Sequence, residues 1–423
     1  MKSRQGMMPI IDEILALDVI CGDYTIKSRD KLDNNWLLID VETCYGLKKL
    51  MIPENPEKPD YKGLIIKILE RINDKCSIKY RSRGVVDIIS ISPRSIVAQL
   101  DNNYTIKVLT LLEDDVMEYK VLEYLTNIKY PNIPRLSCSL TYDSWQVAII
   151  TDYIDGTPLA SEVINYAQSA ARGKPILPGL IGDVGKLLAD LHNALYKCAH
   201  EWCKPEIAGN LRAEKWLDRI RLRAKWITKY SHVLKDPLLG EGAVGLLDLA
   251  YKLYDPSILS SRIVFRIHGD MHLYQLYKVD SSIMITDFEG EPYKEPGFKN
   301  EKEPPERDLA ALIRSIDYAT VMAIMEKEAM GLKESLEHLN DDLLRWEYMV
   351  AQELIESYIR GLSEDLQVTR SNLGSSLLFW LVERISYEIL YEIRAKTGLY
   401  HIPLNAVLRM SEGRDPIMGL ASY

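Results

Sequence analysis

Apolar and polar residues alternate along the first third of the chain, and that period predicts strands. Trp36–Thr43 (WLLIDVET) and Lys48–Pro53 (KKLMIP) read as an antiparallel pair, and Gly63–Ile72 (GLIIKILERI) has helical spacing. VVDIISIS, SIVAQL and YTIKVL then form two or three more strands, with Asp101-Asn102-Asn103 as a hairpin turn. The amphipathic stretch DDVMEYKVLEYL follows directly as a helix, and Trp145–Gly156 (WQVAIITDYIDG) is a strand running into a turn. Beyond it the period becomes helical. LIGDVGKLLADLHNALYKC, LRAEKWLDRIRLRAKWITKY, ERDLAALIRSIDYAT, RWEYMVAQELIESYIRGL and LLFWLVERISYEILYEIRAKTG repeat apolar residues every three or four positions. The second of these is basic and is read as a solvated helix; Gly398 stops the last. One island of strand pattern interrupts the helices. Ile263–Ile267 is a short buried strand, a polar loop follows, and a hairpin turns at Asp280-Ser281-Ser282. The pattern predicts a unit over 1–83, a β-rich unit over 84–155 and a helical unit over 156–423.

Composition narrows the function. The 423 residues are 47% hydrophobic and 27% charged, an ordinary globular balance. A net charge of −9 argues against a nucleic-acid partner, which needs a basic face. No apolar run reaches a membrane span, and acids interrupt the apolar part of the opening segment, so neither a membrane nor a signal peptide is expected. Six scattered cysteines (21, 44, 76, 138, 198, 203) suit free thiols in a reducing cytoplasm. Cys198, His200 and Cys203 lack a fourth zinc ligand, and His192 reads as a packed structural residue.

The chemistry concentrates in Arg266–Pro292, RIHGDMHLYQLYKVDSSIMITDFEGEP. Gln275 stands five residues after Asp270, and Asp287 twelve after Gln275. Phosphoryl transfer needs positioning and charge neutralisation more than covalent work. Asp270 suits a base for an attacking hydroxyl, while Gln275 and Asp287 offer hard oxygens to Mg²⁺. Gly269 lets the loop turn.

These residues carry a resemblance. HGDMHLYQ followed by DFEGEP resembles the maltokinase family, in the aminoglycoside-phosphotransferase and choline-kinase-like branch of the kinase fold. RDLAALIRSIDYA resembles that family's next helix. Tyr387-Glu388, Tyr391-Glu392 and Ile402-Pro403 resemble its Y-E-x-x-Y-E segment and following I-P pair. Tyr274 replaces the family's usual Gly, and Ala395-Lys396-Thr397 replaces Asn-Arg-Pro. The resemblance implies an α+β, two-lobed protein-kinase-like fold: a β-rich N-lobe and a helical C-lobe behind an N-terminal α+β cap subdomain.

It also implies roles. Lys107 resembles the phosphate-orienting strand lysine of kinases, with Glu118 on the next helix as its anchor and Glu123 as the alternative acid. Ser92 and Ser95 stand where a phosphate loop would lie, without its glycines. By fold analogy, the backbone at Thr151, Asp152 and Tyr153 meets adenine. His268, Arg307, Asp308, Tyr387, Glu388, Tyr391 and Glu392 fall on the sugar side, while Asp308, at its helix start, also suits a capping or loop-bracing role. The implied reaction is ATP- and Mg²⁺-dependent phosphorylation of maltose at its anomeric hydroxyl, by a cytoplasmic monomer or homodimer. The alternatives are a kinase for another sugar or amino sugar such as glucosamine, and a non-catalytic nucleotide-binding pseudokinase. An aminoglycoside kinase would lack the C-terminal Tyr-Glu helix.

Overall fold

The computed structural model describes residues 24–422 apart from 33–34, 44–45, 73–85, 114, 143, 293 and 296–297. The opening segment, Cys21, Cys44, Cys76, the division between 83 and 84, and part of the loop after DFEGEP lie outside the described residues. The chain forms two compact units. One is Met1–Asp155 with Met284–Lys299; the other is Gly156–Ile283 with Asn300–Tyr423.

The first unit contains β1 (Thr25–Lys31), β2 (Trp36–Thr43), β3 (Gly46–Pro53), α1 (Tyr61–Ile72), β4 (Val86–Ile91), β5 (Ser95–Leu100), β6 (Tyr104–Glu113), α2 (Met117–Asn127), β7 (Leu136–Tyr142) and β8 (Trp145–Asp152). Eight described strands make one sheet in the order β1-β2-β3-β6-β5-β4, with β8 also on β6 and β7 on β8. The long strand β6 joins the two sequence patterns. Its Leu111 and Leu112 pair with Leu50 and Lys49 of β3, while Tyr104 to Val108 pair with β8. Leu37, Ile39, Val41, Leu50, Ile52 and Leu111 consequently share one core cluster. The β5–β6 turn puts Asp101 and Asn102 at φ of 50° and 58°, left-handed values that short Asp and Asn side chains tolerate.

The second unit contains β9 (Thr157–Pro158), α3 (Leu159–Ala170), α4 (Leu180–Tyr196), β10 (Glu206–Ile207), α5 (Gly209–Leu234), α6 (Pro237–Leu253), α7 (Pro256–Ser260), β11 (Ile263–Val264), β12 (Leu276–Val279), β13 (Ser282–Ile285, which leads out of the unit), α8 (Glu306–Glu328), α9 (Leu332–Glu337), α10 (Asp341–Gly361), α11 (Leu373–Arg394) and α12 (His401–Ser411). Helix α11 is the axis. It packs on α5, α6, α8 and α12, and most of its residues are buried, acids and Arg384 among them. Trp380 meets Trp216 of α5 edge-on at 4.9 Å. Helices α4 and α10 lie close together at Gly185, where a Cβ would meet Leu354 O at 2.6 Å. Aspartates cap α6 and α7, and Asn340 caps α10.

Four expectations change. The strand expected over Ile263–Ile267 is only Ile263–Val264, continued by one bridge between Phe265 and Glu303. Helix α11 stops at Arg394, before Gly398, because Lys396 takes the left-handed conformation (φ 55°). The basic helix α5 is not merely solvated. Its Arg219 and Arg223 are buried and paired with Glu383 at 2.8 and 2.7 Å, and Arg219 also reaches Glu303 at 2.7 Å. Cys198 and Cys203 form a disulfide rather than free thiols. Among the described residues, no helix is long and apolar enough to cross a membrane.

Candidate functional site

In the first unit, strand β6 puts Lys107 inside a ring of carboxylates. Its Nζ lies 2.8 Å from Glu118 Oε2, 2.9 Å from Asp287 Oδ1 and 2.9 Å from Glu289 Oε2. The pairing follows from local structure. Lys107 is on a central strand, and α2 begins soon afterwards with Glu118 in its buried first turn. Burial alone would lower the ammonium pKa, but Asp287, Glu118 and Glu289 hold it well above its usual range. Three acids around one lysine cannot all be balanced. Burial pushes Glu118 up to about 7, and Lys107 only partly offsets it.

The kinase-like motif implies Mg²⁺, and the donor set can be tested. Glu118, Asp287 and Glu289 each offer an oxygen, all within 4.8 Å of one another. Clustered hard oxygens fit a magnesium ion. Sequence reading missed Glu289, although it stands two residues after Asp287 in DFEGEP. It also missed Arg94, whose NH1 lies 3.4 Å from Glu289 and donates to Pro292 O at 2.6 Å.

The other nucleotide-side positions are occupied by local bonds. Ser92 Oγ accepts from the amides of Arg94 (3.3 Å) and Ser95 (3.0 Å), so this turn satisfies its own donors. Thr151 pairs within the sheet, the Asp152 amide donates to Arg135 O (3.0 Å), and the Tyr153 amide donates to Asn103 O (2.9 Å).

In the second unit, the HGD loop is braced from α8. Asp308 Oδ2 accepts from the His268 amide and Oδ1 from the Gly269 amide, both at 2.8 Å. His192 Nε2 lies 3.1 Å from the same carboxylate. Burial would raise the Asp308 pKa; His192, His268 and the Gly269 amide pull it below the usual carboxylate range. Gly269 turns the loop at φ 88°, and Arg307 NH1 donates to its carbonyl at 3.1 Å. The Asp270 amide donates to His268 Nδ1 at 3.2 Å. His268, Arg307 and Asp308 are therefore buried supports of the loop.

Asp270 itself opens onto a cavity of about 360 Å³ within this unit. From the loop come Asp270, His272 and Tyr274. Ala311, Ser315, Tyr318, Ala319 and Met322 contribute one face of α8, while Arg384, Tyr387, Glu388, Tyr391 and Glu392 contribute one face of α11. Thr397 and Leu399 close the wall. The Tyr387 and Tyr391 rings stand 5.9 Å apart with their planes tilted by 31°, two aromatic faces on the cavity wall. Glu383, one turn before Tyr387, faces the other way into the arginines of α5. Gln275 does not line the cavity; its Nε2 lies 3.3 Å from His272 Nε2.

Sequence reading missed Arg384, His272 and the later residues of α8. Arg384 is four residues before Glu388, so it extends the Glu388–Glu392 stripe by one turn. Ala311, Ser315, Tyr318 and Met322 likewise share a helical face. Arg384 NH1 donates to Asp270 Oδ1 at 2.8 Å and its Nε to Glu388 Oε1 at 3.1 Å. From there a buried row of alternating charge runs on. Glu388 meets Arg314 (2.9 Å), Arg314 meets Asp317 (2.7 Å), Asp317 meets Arg409 (3.0 Å), and Arg409 meets Asp415 (3.1 Å).

The strand-rich and helical units define a two-lobed, kinase-like α+β fold, and solved structures share it. A glucosamine kinase aligns over 94% of this chain and 97% of its own, with TM-score 0.64 and 14% identity. A glucosamine kinase in complex with glucosamine, ADP and inorganic phosphate aligns over 94% and 96%, with TM-score 0.61 and 13% identity. At this identity the shared property is the fold. No protein-family model matches the chain.

Proposed function

We propose that the protein is an ATP-dependent kinase that transfers the γ-phosphoryl group to a sugar hydroxyl. The supporting observation is Asp270, a carboxylate at the wall of a cavity lined by tyrosine faces, hydroxyls and acids. Such walls suit a sugar, whose C–H faces pack on rings and whose hydroxyls bond to carboxylates.

Asp270 accepts the proton of the attacking hydroxyl, and Arg384 keeps that carboxylate ionised and fixed. Lys107, anchored by Glu118, orients the nucleotide phosphates. Asp287 and Glu289 would hold Mg²⁺. When bound, the ion neutralises charge on the β- and γ-phosphates. Asp308 and Arg307 hold the loop that carries the base.

The sequence resemblance favours maltose as acceptor and maltose 1-phosphate as product; an amino sugar such as glucosamine is the second reading. Intact Lys107, Asp270 and Asp287 stand against a pseudokinase. The test is a phosphoryl-transfer screen with ATP and Mg²⁺ against maltose, glucose, glucosamine and trehalose, with Asp270→Asn as the blank. Turnover lost in the blank supports the kinase. ATP binding without turnover on any sugar would replace it with a nucleotide-binding protein.

A further inference from the structure

Charge does not balance on the cavity wall. Asp270, Glu388 and Glu392 are its three carboxylates. Arg384 is the single lysine or arginine among the described lining residues, and Asp270 and Glu388 both bond it. Glu388 is paired again by Arg314 at 2.9 Å. Glu392 is held differently. Its Oε1 accepts from the Tyr318 hydroxyl at 2.9 Å and its Oε2 from the Thr397 hydroxyl. Both donors are neutral, and among the described residues no lysine or arginine forms an ion pair with Glu392. Burial pushes its carboxyl up and the Glu388 charge adds to this, while Thr397, Tyr318 and the Arg384 charge only partly offset it.

Thr397 belongs to the triplet where this chain departs from the family it resembles. A proline there could not donate to Glu392. Lys396, beside it, is exposed and outside the cavity lining.

The geometry points to Glu392, flanked by Tyr318 and Thr397, as a subsite for an ammonium group: the acceptor is a sugar bearing a protonated amine. This rests on the sugar-kinase reading and chooses among its substrates. An ammonium offers three donors and one positive charge to a wall that lacks that charge. A neutral sugar of the same shape leaves Glu392 with hydroxyl donors and no ion-pair partner among the described residues.

The experiment compares amino and neutral acceptors at two sizes: glucosamine against glucose, and the fully deacetylated glucosamine disaccharide against maltose. The expected result is a kcat/KM at least about tenfold higher for the amino sugar at one size. Glu392→Gln should raise its KM about tenfold more than that of the neutral partner, with kcat less affected. In the wild type, N-acetylglucosamine, which has the ring without the charge, should be a poor acceptor; this arm does not depend on a variant folding. Preference for the neutral sugar at both sizes, or efficient use of N-acetylglucosamine, overturns the ammonium subsite alone. No transfer to any acceptor overturns the kinase reading beneath it.

Discussion

Arg384 NH1 donates to Asp270 Oδ1 across 2.8 Å, so the carboxylate that would act as base is tied to a guanidinium of the cavity wall. Burial raises the Asp270 pKa, but Arg384 overrides it, with His272 and His268 adding to the pull, and the carboxyl ends below its usual range. Asp270 therefore stays ionised down to pH values under the ordinary carboxylate pKa. The acid limb of kcat/KM attributable to it should lie below the ordinary carboxylate range. Arg384→Met should move that limb upward and lower kcat about 10- to 100-fold. A pH–rate profile of the variant superimposable on the wild type would show that Arg384 does not set the base.

Glu383 is the acid beneath three arginines, with Arg307 at 3.2 Å joining Arg219 and Arg223. Burial raises its pKa, and Arg219, Arg307 and Arg223 bring it down to about 2. The folded value is depressed, so its stabilisation is complete above the unfolded value of about 4.5 and is lost between there and about pH 2. Glu383→Gln removes the charge that Arg219, Arg223 and Arg307 share, leaving Glu303 to face Arg219 and Arg307, and should cost about 3–5 kcal/mol at neutral pH. The same variant should lose less stability than wild type between pH 5 and 3, which denaturant midpoints at each pH will show.

Lys107→Met should lower kcat/KM for ATP about 10²- to 10³-fold, the size expected for removing one charge aimed at phosphate oxygens. Calorimetric affinity for the acceptor, measured without nucleotide, should change less than about twofold. A variant with unaltered ATP kinetics would remove the nucleotide from the Lys107 cluster.

The Cys198–Cys203 disulfide closes a short loop beside the segment that leads to His268 and Asp270, where Cys203 O accepts from the Arg266 amide at 3.4 Å. For so short a loop the chain-entropy relation gives about 2 kcal/mol. Replacing both cysteines with alanine should lower unfolding free energy by roughly that amount. Alkylation of the denatured, unreduced protein should leave both sulfurs unlabelled.

The sequence was most readable where local pattern and chemistry coincide. Lys107 on a strand followed at once by an amphipathic helix bearing Glu118 needs little tertiary information, and the ion pair is present. Helical spacing sets Glu383, Tyr387 and Tyr391 on one face, but of these only the two tyrosines line the cavity, and Glu383 turns to the arginines of α5. What stayed hidden depends on packing partners far along the chain. Arg219 and Arg223 look like surface residues until Glu383, more than a hundred positions later, lies beside them. Asp308 at its helix start suits bracing a loop, but that its partners are the His268 and Gly269 amides and His192, and that Arg307 pairs with Glu303 and Glu383, shows only in the fold. Helix α11 overran its end on paper because a glycine looked like a better stop than Lys396.

The alternating row from Asp270 to Asp415 constrains how this chain can vary by descent. Each inner member touches two neighbours of opposite sign, so a single neutral replacement leaves two like charges facing a gap. Substitutions in the row should therefore arrive in compensating pairs, or the row should vanish as a set. Asp415, at its far end, thus shares a history with the loop that carries Asp270.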